Sequence, residues 1–236
     1  MTIALSPMGS EQFLRDATRH LVHYQGPLDV VVDIGAHIGS LSLMAAQRGA
    51  KRVVAVEPMS ANYENLLVNI ATNGFAKTIE AVNAMIVADT GKERQLLCPA
   101  GLTGCCSMIV NGVGTIEVPR LIAFKDFLTE FEQIDYLKID IEGGEFEIFD
   151  QSLELNNLLR RVRFLDLEIH KLQGFFPNYE TITRYSHSNK SSDEIISYLR
   201  DIGFHEDVHP QVLREHGPYA FGSRNFNFMG GYEDVT

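Results

Sequence analysis

Two acids close two apolar runs near the start of the chain. Val30, Val31 and Val32 lead into Asp33, and the run from Val53 to Val56 leads into Glu57. Between them lies the turn Gly35-Ala36-His37-Ile38-Gly39, and Glu57 follows Gly35 by 22 residues. Glycines at such a turn let the backbone pass close to a ligand, and an acid at that distance hydrogen-bonds a ribose diol. The glycine spacing then narrows the ligand. A dinucleotide fingerprint needs a middle glycine so that a helix N-terminus meets the pyrophosphate, and this loop has none there. An uncharged linkage suits it better. S-adenosylmethionine carries a ribose and an adenine but no phosphate. The candidate cofactor residues are therefore Asp33, Gly35, Ala36, His37, Gly39 and Glu57. Asp33 either accepts from a cofactor amine or anchors the loop. Met59 is expected to pack on the adenine, and Asn83 to reach its amino group.

A second constellation lies further on. Asp140 and Glu142 form a D-x-E pair in KIDIEGGE, and Glu168 and His170 form E-x-H in LEIHK. Residues i and i+2 on a strand share a face. If these two strands are neighbours, three carboxylates and an imidazole converge at one rim, where Asp140 also meets the cofactor. Asp140, Glu142 and Glu168 could hold a hard divalent cation such as Mg through oxygen ligands. Alternatively, His170 acts as general base beside an acceptor hydroxyl, oriented by Glu168 or Asp140. An amide or amine acceptor would use the same rim, so O- and N-methylation both stay open.

Such residues need elements that deliver them to one edge. Unbroken apolar runs at 29–34 and 53–56 read as strands buried on both faces, the pattern of parallel sheets. A third strand is expected at about 79–84, then IDYLKIDI at 134–141, VRFLDLEI at 162–169 and a final strand at FNFMG, 226–230. Helices are expected at 10–24, about 38–48, from a Ser60 cap to Gly74, near 123–131, from Glu145, and from a Ser192 cap to Gly203. Strand–helix alternation means an open, doubly wound α/β sheet, which binds ligands at the carboxyl ends of its strands. Residues 1–27 form an N-terminal helical segment and 28–236 one Rossmann-like domain. Two insertions interrupt it, a hairpin-like one at about 91–119 and an aromatic-rich lid or binding loop at 171–190.

A net charge of −11 over 236 residues argues against nucleic acid and anionic membrane surfaces as partners. Cys98, Cys105 and Cys106 are an odd count with two adjacent, which is not a disulfide framework and fits a reducing compartment. No signal peptide or transmembrane span is visible, so the expected location is the cytoplasm. The expected partner is a small-molecule or peptide acceptor. A homo-oligomer also stays open.

The strings VVVDIGAHIGSLSLMAA, VVAVEPMSANYENLLVNIATNG and IDYLKIDIEGGEFEIF resemble the FkbM family of S-adenosylmethionine-dependent methyltransferases. LEIHK and NFNFMG also fit, and K-I-D-I-E-G-x-E is the most specific string. The resemblance implies a class I methyltransferase sheet of seven strands, mostly parallel, with the last antiparallel. It implies methyl transfer, most often to a hydroxyl of a sugar or small natural product. Asp33, Gly35 and Gly39 fall on that family's cofactor loop, Glu57 on its ribose acid, and Asp140 and Glu142 on its acidic string. The chain departs at His37, where the family more often has Asn. Two rivals stand beside this reading. A nicotinamide-dependent dehydrogenase is opposed by the missing glycine. A non-catalytic cofactor-binding module is opposed by the intact Asp33, Gly35, Glu57 and Asp140.

Overall fold

The valine runs become the first two strands of the central sheet. The structure is a computed structural model of the chain, and it describes residues 3–4, 21, 24–99, 106–107, 110–111, 114–170, 180–181, 191–206 and 223–229. The alternation begins β1 (Val30–Ile34), α1 (Ser40–Gln47), β2 (Arg52–Val56), α2 (Ser60–Thr72), β3 (Ile79–Val82) and β4 (Met85–Val87). A run of short strands follows: β5 (Leu96–Pro99), β6 (Val110–Asn111), β7 (Gly114–Glu117) and β8 (Leu121–Ala123). Next come α3 (Phe124–Thr129), β9 (Ile134–Ile139), α4 (Glu145–Ile148), α5 (Leu153–Leu159), β10 (Val162–His170) and β11 (Glu180–Thr181). The described part closes with α6 (Ser192–Asp201), β12 (His205–Glu206) and β13 (Ser223–Met229).

The main sheet runs β12-β13-β10-β9-β1-β2-β3. Its pairs β10/β9, β9/β1, β1/β2 and β2/β3 are parallel, while β13 runs antiparallel to both β10 and β12. The fold is the expected doubly wound α/β sheet. Because strand side chains alternate, each strand feeds two cores. Val31, Val53, Ala55, Tyr136 and Phe164 pack with Leu41 and Leu43 of α1 and Leu66 and Ile70 of α2. Val32, Val54, Leu137 and Leu165 pack with Phe127 of α3, Phe146 of α4, Leu155 of α5 and Leu199 of α6 on the other face. The order turns back on either side of β1, so the switch point lies at the carboxyl ends of β1 and β9.

Several local expectations shift. The third strand breaks after Val82, and Met85–Val87 leaves to pair with β8. Ser60 does not cap α2: Met59 holds the N-cap position, and Ser60 donates its N–H and hydroxyl to Oε2 of Glu117 at 3.0 and 2.7 Å. Ser191 rather than Ser192 caps α6, in a capping box with Glu194. Strands β5 and β7 pair antiparallel, and β6 pairs with β11, which ties Val110–Asn111 to Glu180–Thr181.

The cysteine reading is corrected. Cys98 and Cys106 form a disulfide eight residues apart in sequence. The reason is local: Leu97 and Ser107 bridge antiparallel, which sets the neighbouring cysteines side by side. The inference from cysteine usage to a reducing compartment falls with it. Most of the expected 10–24 helix and of the 171–190 loop lies outside the described residues. Among the described residues, no helix is long and apolar enough to cross a membrane.

Candidate functional site

A cavity opens at the switch point. Gly35 and His37 of the loop after β1 line it, as do Glu57 and Asn62 around the start of α2 and Asp140 and Glu142 after β9. Ile86, Leu96 and Cys106 supply apolar wall beside them. The loop after β1 is fixed by backbone: the N–H groups of Gly35 and Ala36 both donate to the Val56 carbonyl, at 3.0 and 2.9 Å. Gly35 has φ +81°, and a Cβ there would lie 1.8 Å from the Asp140 carbonyl oxygen. Two loops from different strands therefore touch at a point where only glycine fits. His37 has φ +52°, in the left-handed region that Asn and His enter more readily than most residues. This accounts for His standing where Asn is more usual.

Glu57 is 5% exposed. Its Oε2 accepts the His37 N–H at 2.8 Å, and its Oε1 accepts the Met59 N–H at 3.0 Å and Asn62 Nδ2 at 3.2 Å. Burial pushes its carboxyl up to about 7, against the pull of those donors and of Lys138. Burial and the Lys138 charge lower His37 to about 4, so its imidazole is neutral at pH 7.

Asp33 lies beneath the loop. It is fully buried, accepts the Ser42 hydroxyl at 2.7 Å and lies 3.5 Å from Lys138 Nζ. Lys138 binds the loop together: its ammonium donates to the Gly35 carbonyl at 3.0 Å and meets Asp140 Oδ2 at 3.2 Å. Burial opposes the charge on Lys138, but Asp140 and Asp33 outweigh it and hold the group above its ordinary range. Ala36, Gly39, Met59 and Asn83 do not line the cavity. Met59 packs with Met85 and Leu96, and Asn83 gives its amide N–H groups to the Glu57 and Pro58 carbonyls. Both shape the Glu57 turn, because the break after Val82 moves the cavity wall on to Ala84, Met85 and Ile86.

The acidic rim assembles, though by a different route from the one expected. Glu168 and His170 do share a face of β10, and β9 and β10 are parallel neighbours. Asp140 and Glu142, however, lie beyond the end of β9. Glu142 has φ +53° in a turn held by Glu145. That fully buried carboxylate accepts the Ile141 N–H at 3.1 Å and the Gly143 N–H at 3.0 Å. Glu145 also lies 3.0 Å from His170 Nδ1. The orienting partner of His170 on that side is thus Glu145, not Glu168 or Asp140. The other ring nitrogen, Nε2, faces Glu142 Oε2 at 3.4 Å, Glu168 Oε1 at 3.6 Å and Asp140 Oδ1 at 3.8 Å. Burial works against the imidazolium, but Glu145 and Glu142 raise His170 well above its ordinary value. Burial also raises Glu142, with Asp140 and Glu145 adding to it against His170.

Ligand atoms of Asp140, Glu142 and His170 lie within 4.8 Å of one another, so His170 joins Asp140 and Glu142 as a candidate metal ligand, while Glu168 Oε1 stands 3.6 Å from His170 Nε2 outside that group. Sequence reasoning missed Lys138, Glu145 and Asn62. Lys138 had a signal, a lone cation inside the apolar strand IDYLKI. Glu145 had one too, as the closing acid of the K-I-D-I-E-G-x-E string that Lys138 opens.

Comparison with known proteins gives a family match and remote structural likenesses. The Methyltransferase FkbM domain matches residues 33–206. No curated protein matches the chain. Sp1610 of Streptococcus pneumoniae, solved with S-adenosyl-L-methionine, has a TM-score of 0.48 at 16% identity, covering 96% of this chain and 75% of that one. M. capricolum TrmK, solved with S-adenosyl-homocysteine, has a TM-score of 0.47 at 11% identity, covering 95% and 70%. Precorrin-6y C5,15-methyltransferase from Geobacter metallireducens GS-15 has a TM-score of 0.45 at 14% identity, covering 96% and 93%.

Proposed function

This chain belongs to the FkbM methyltransferase family and is an S-adenosyl-L-methionine-dependent methyltransferase, and we propose that it methylates a hydroxyl of a sugar or small natural product. One observation carries the reading. The cavity at the switch point is lined on one side by the Gly35–His37 loop and Glu57, and on the other by Asp140 and Glu142 of the acidic rim. A nucleoside site and a proton-accepting site share one space.

The donor set suits the cofactor. Glu57 offers a carboxylate for the ribose, and Ile86 and Leu96 offer apolar wall for the adenine. A carboxylate has about four lone-pair sites, and three donors already occupy Glu57. Glu57 therefore takes one ribose hydroxyl as it stands, and a second only when the Asn62 amide turns away. When bound, the cofactor supplies an electrophilic methyl group on a sulfonium. The chain contributes chiefly by position, since near-attack geometry removes roughly 7–11 kcal/mol of barrier.

An attacking hydroxyl must also lose its proton. The rim of Asp140, Glu142, Glu168 and His170 serves that step, either with His170 as base or through a bound cation. With the cofactor held at Glu57 and the Gly35–His37 loop, the methyl group would pass to the acceptor oxygen, and the rim would take up the hydroxyl proton.

The test is calorimetric titration with S-adenosylmethionine, S-adenosylhomocysteine and NAD, followed by an acceptor screen spanning sugars, polyols and peptides. The two sulfur compounds should bind and NAD should not. Turnover confined to peptide amides would replace the hydroxyl acceptor with a nitrogen one.

A further inference from the structure

We propose that the rim is a mononuclear site for a small divalent cation of the Mn2+ or Mg2+ class, with Nε2 of His170 as a ligand beside the carboxylates of Asp140, Glu142 and Glu168. The inference rests on the reading that this rim handles the acceptor. It also decides between the two routes given above, because a ligating imidazole is not a base.

Three features carry it. The first is spacing. Nε2 of His170 stands 3.4, 3.6 and 3.8 Å from oxygens of Glu142, Glu168 and Asp140. Ligand atoms held at about 2.1 Å from one ion stand roughly 3.0–3.5 Å from their neighbours in octahedral or tetrahedral arrangements. The Glu142 separation falls in that range, and the Glu168 and Asp140 oxygens would close by a few tenths of an ångström around an ion.

The second feature is the shell behind the ligand. A metal-binding His commonly gives its other ring N–H to a carboxylate, which fixes the ring and sharpens its basicity. Glu145 is that carboxylate here, 3.0 Å from Nδ1, with no exposed surface and two backbone N–H groups holding it in place. His170 as a whole is 3% exposed.

The third feature is an orphaned acceptor. Oε2 of Glu142 is buried and accepts no hydrogen bond among the described residues, and it is the oxygen nearest Nε2. The ligand set is one nitrogen with up to three carboxylates, a mix that suits Mn2+ or Mg2+ better than a thiolate-preferring ion. Asp140 can serve both neighbours, since Oδ2 meets Lys138 while Oδ1 faces His170. Asp140 and Glu142 also line the cavity, so an acceptor hydroxyl can approach an ion held there. The ion would lower the pKa of that hydroxyl, the proton would leave to water, and the oxygen would then take the methyl group from sulfur.

The experiment titrates chelator-treated full-length protein with Mn2+ and follows the electron paramagnetic resonance signal of the free ion. We expect one saturable site per chain. His170→Gln and Glu168→Gln should each weaken Mn2+ at least tenfold. Glu145→Gln should weaken it 10–100-fold, because Glu145 is a positioning residue that acts through the imidazole. Each variant should still bind S-adenosylhomocysteine, which reports folding. Should a variant fail to fold, spin-echo modulation of the wild-type Mn2+ complex reads the imidazole nitrogen directly. Normal S-adenosylhomocysteine binding without saturable Mn2+ binding would overturn the cation site and leave the methyltransferase reading standing. Bound Mn2+ with no nitrogen coupling would remove His170 as a ligand. Failure of S-adenosylhomocysteine itself to bind would instead sink the reading on which the inference rests.

Discussion

Glu57 carries a charge that the fold makes costly. Burial raises its carboxyl from an ordinary value of 4.5 to about 7. The folded chain therefore binds a proton more tightly than the unfolded chain does. By linkage, the Glu57 contribution to stability is largest below about pH 4.5 and falls as pH rises through about 7. Ligand binding runs the opposite way, because only the ionised carboxylate accepts freely from ribose hydroxyls. Affinity for S-adenosylmethionine should rise as pH passes through about 7 in the wild type. Calorimetry across that range checks it, and Glu57→Gln should flatten the profile while weakening binding by about 1.5–3 kcal/mol at high pH. His37 offers a second test. With φ +52°, His37→Asn should leave stability within about 0.5 kcal/mol, whereas β-branched His37→Val should cost roughly 1–2 kcal/mol in a denaturant melt.

Loops rather than regular elements bring the site together, and their joints can be tested. The Gly35 turn touches the Asp140 backbone with no space for a side chain. Gly35→Ala should cost at least about 2 kcal/mol of stability, since φ +81° and the contact both resist a methyl group. A near-wild-type melting temperature would mean that the two loops are not in contact. The Cys98–Cys106 link closes an eight-residue separation beside the cavity wall. For so short a loop the chain-entropy scale gives about 2.5 kcal/mol. Reduction, or Cys98→Ser, should lower stability by roughly that amount, and peptide mapping without reductant should recover the linked pair. Two free thiols under oxidising conditions would remove the link.

At the scale of the molecule, Lys138 joins the parts. It rises from β9 between two acids and reaches the Gly35 carbonyl, so one buried ammonium connects the cofactor loop to the acidic rim. Removing one partner of a buried ionic cluster leaves uncompensated charge, which typically costs about 3–5 kcal/mol. Lys138→Met should lose stability on that scale and weaken S-adenosylhomocysteine binding together with it. Loss of neither would separate the two halves of the site.

The sequence alone carried the sheet, the cofactor class and the positions of the acids. These follow from local patterns: buried valine runs, a glycine turn, an acid at a fixed distance, and E-x-H on one strand face. Other features were decided only in three dimensions. Asp140 and Glu142 meet His170 through a turn that Glu145 holds, rather than through strand pleating. Asn83 and Met59 support the Glu57 turn instead of facing the cavity, because β3 stops two residues early. Cys98 finds Cys106 because a single bridge between Leu97 and Ser107 folds the chain back. Sequence periodicity reports which face a residue takes within its own element. It does not report which of several nearby carboxylates a buried imidazole will meet, because that depends on how two strands and a turn fit together.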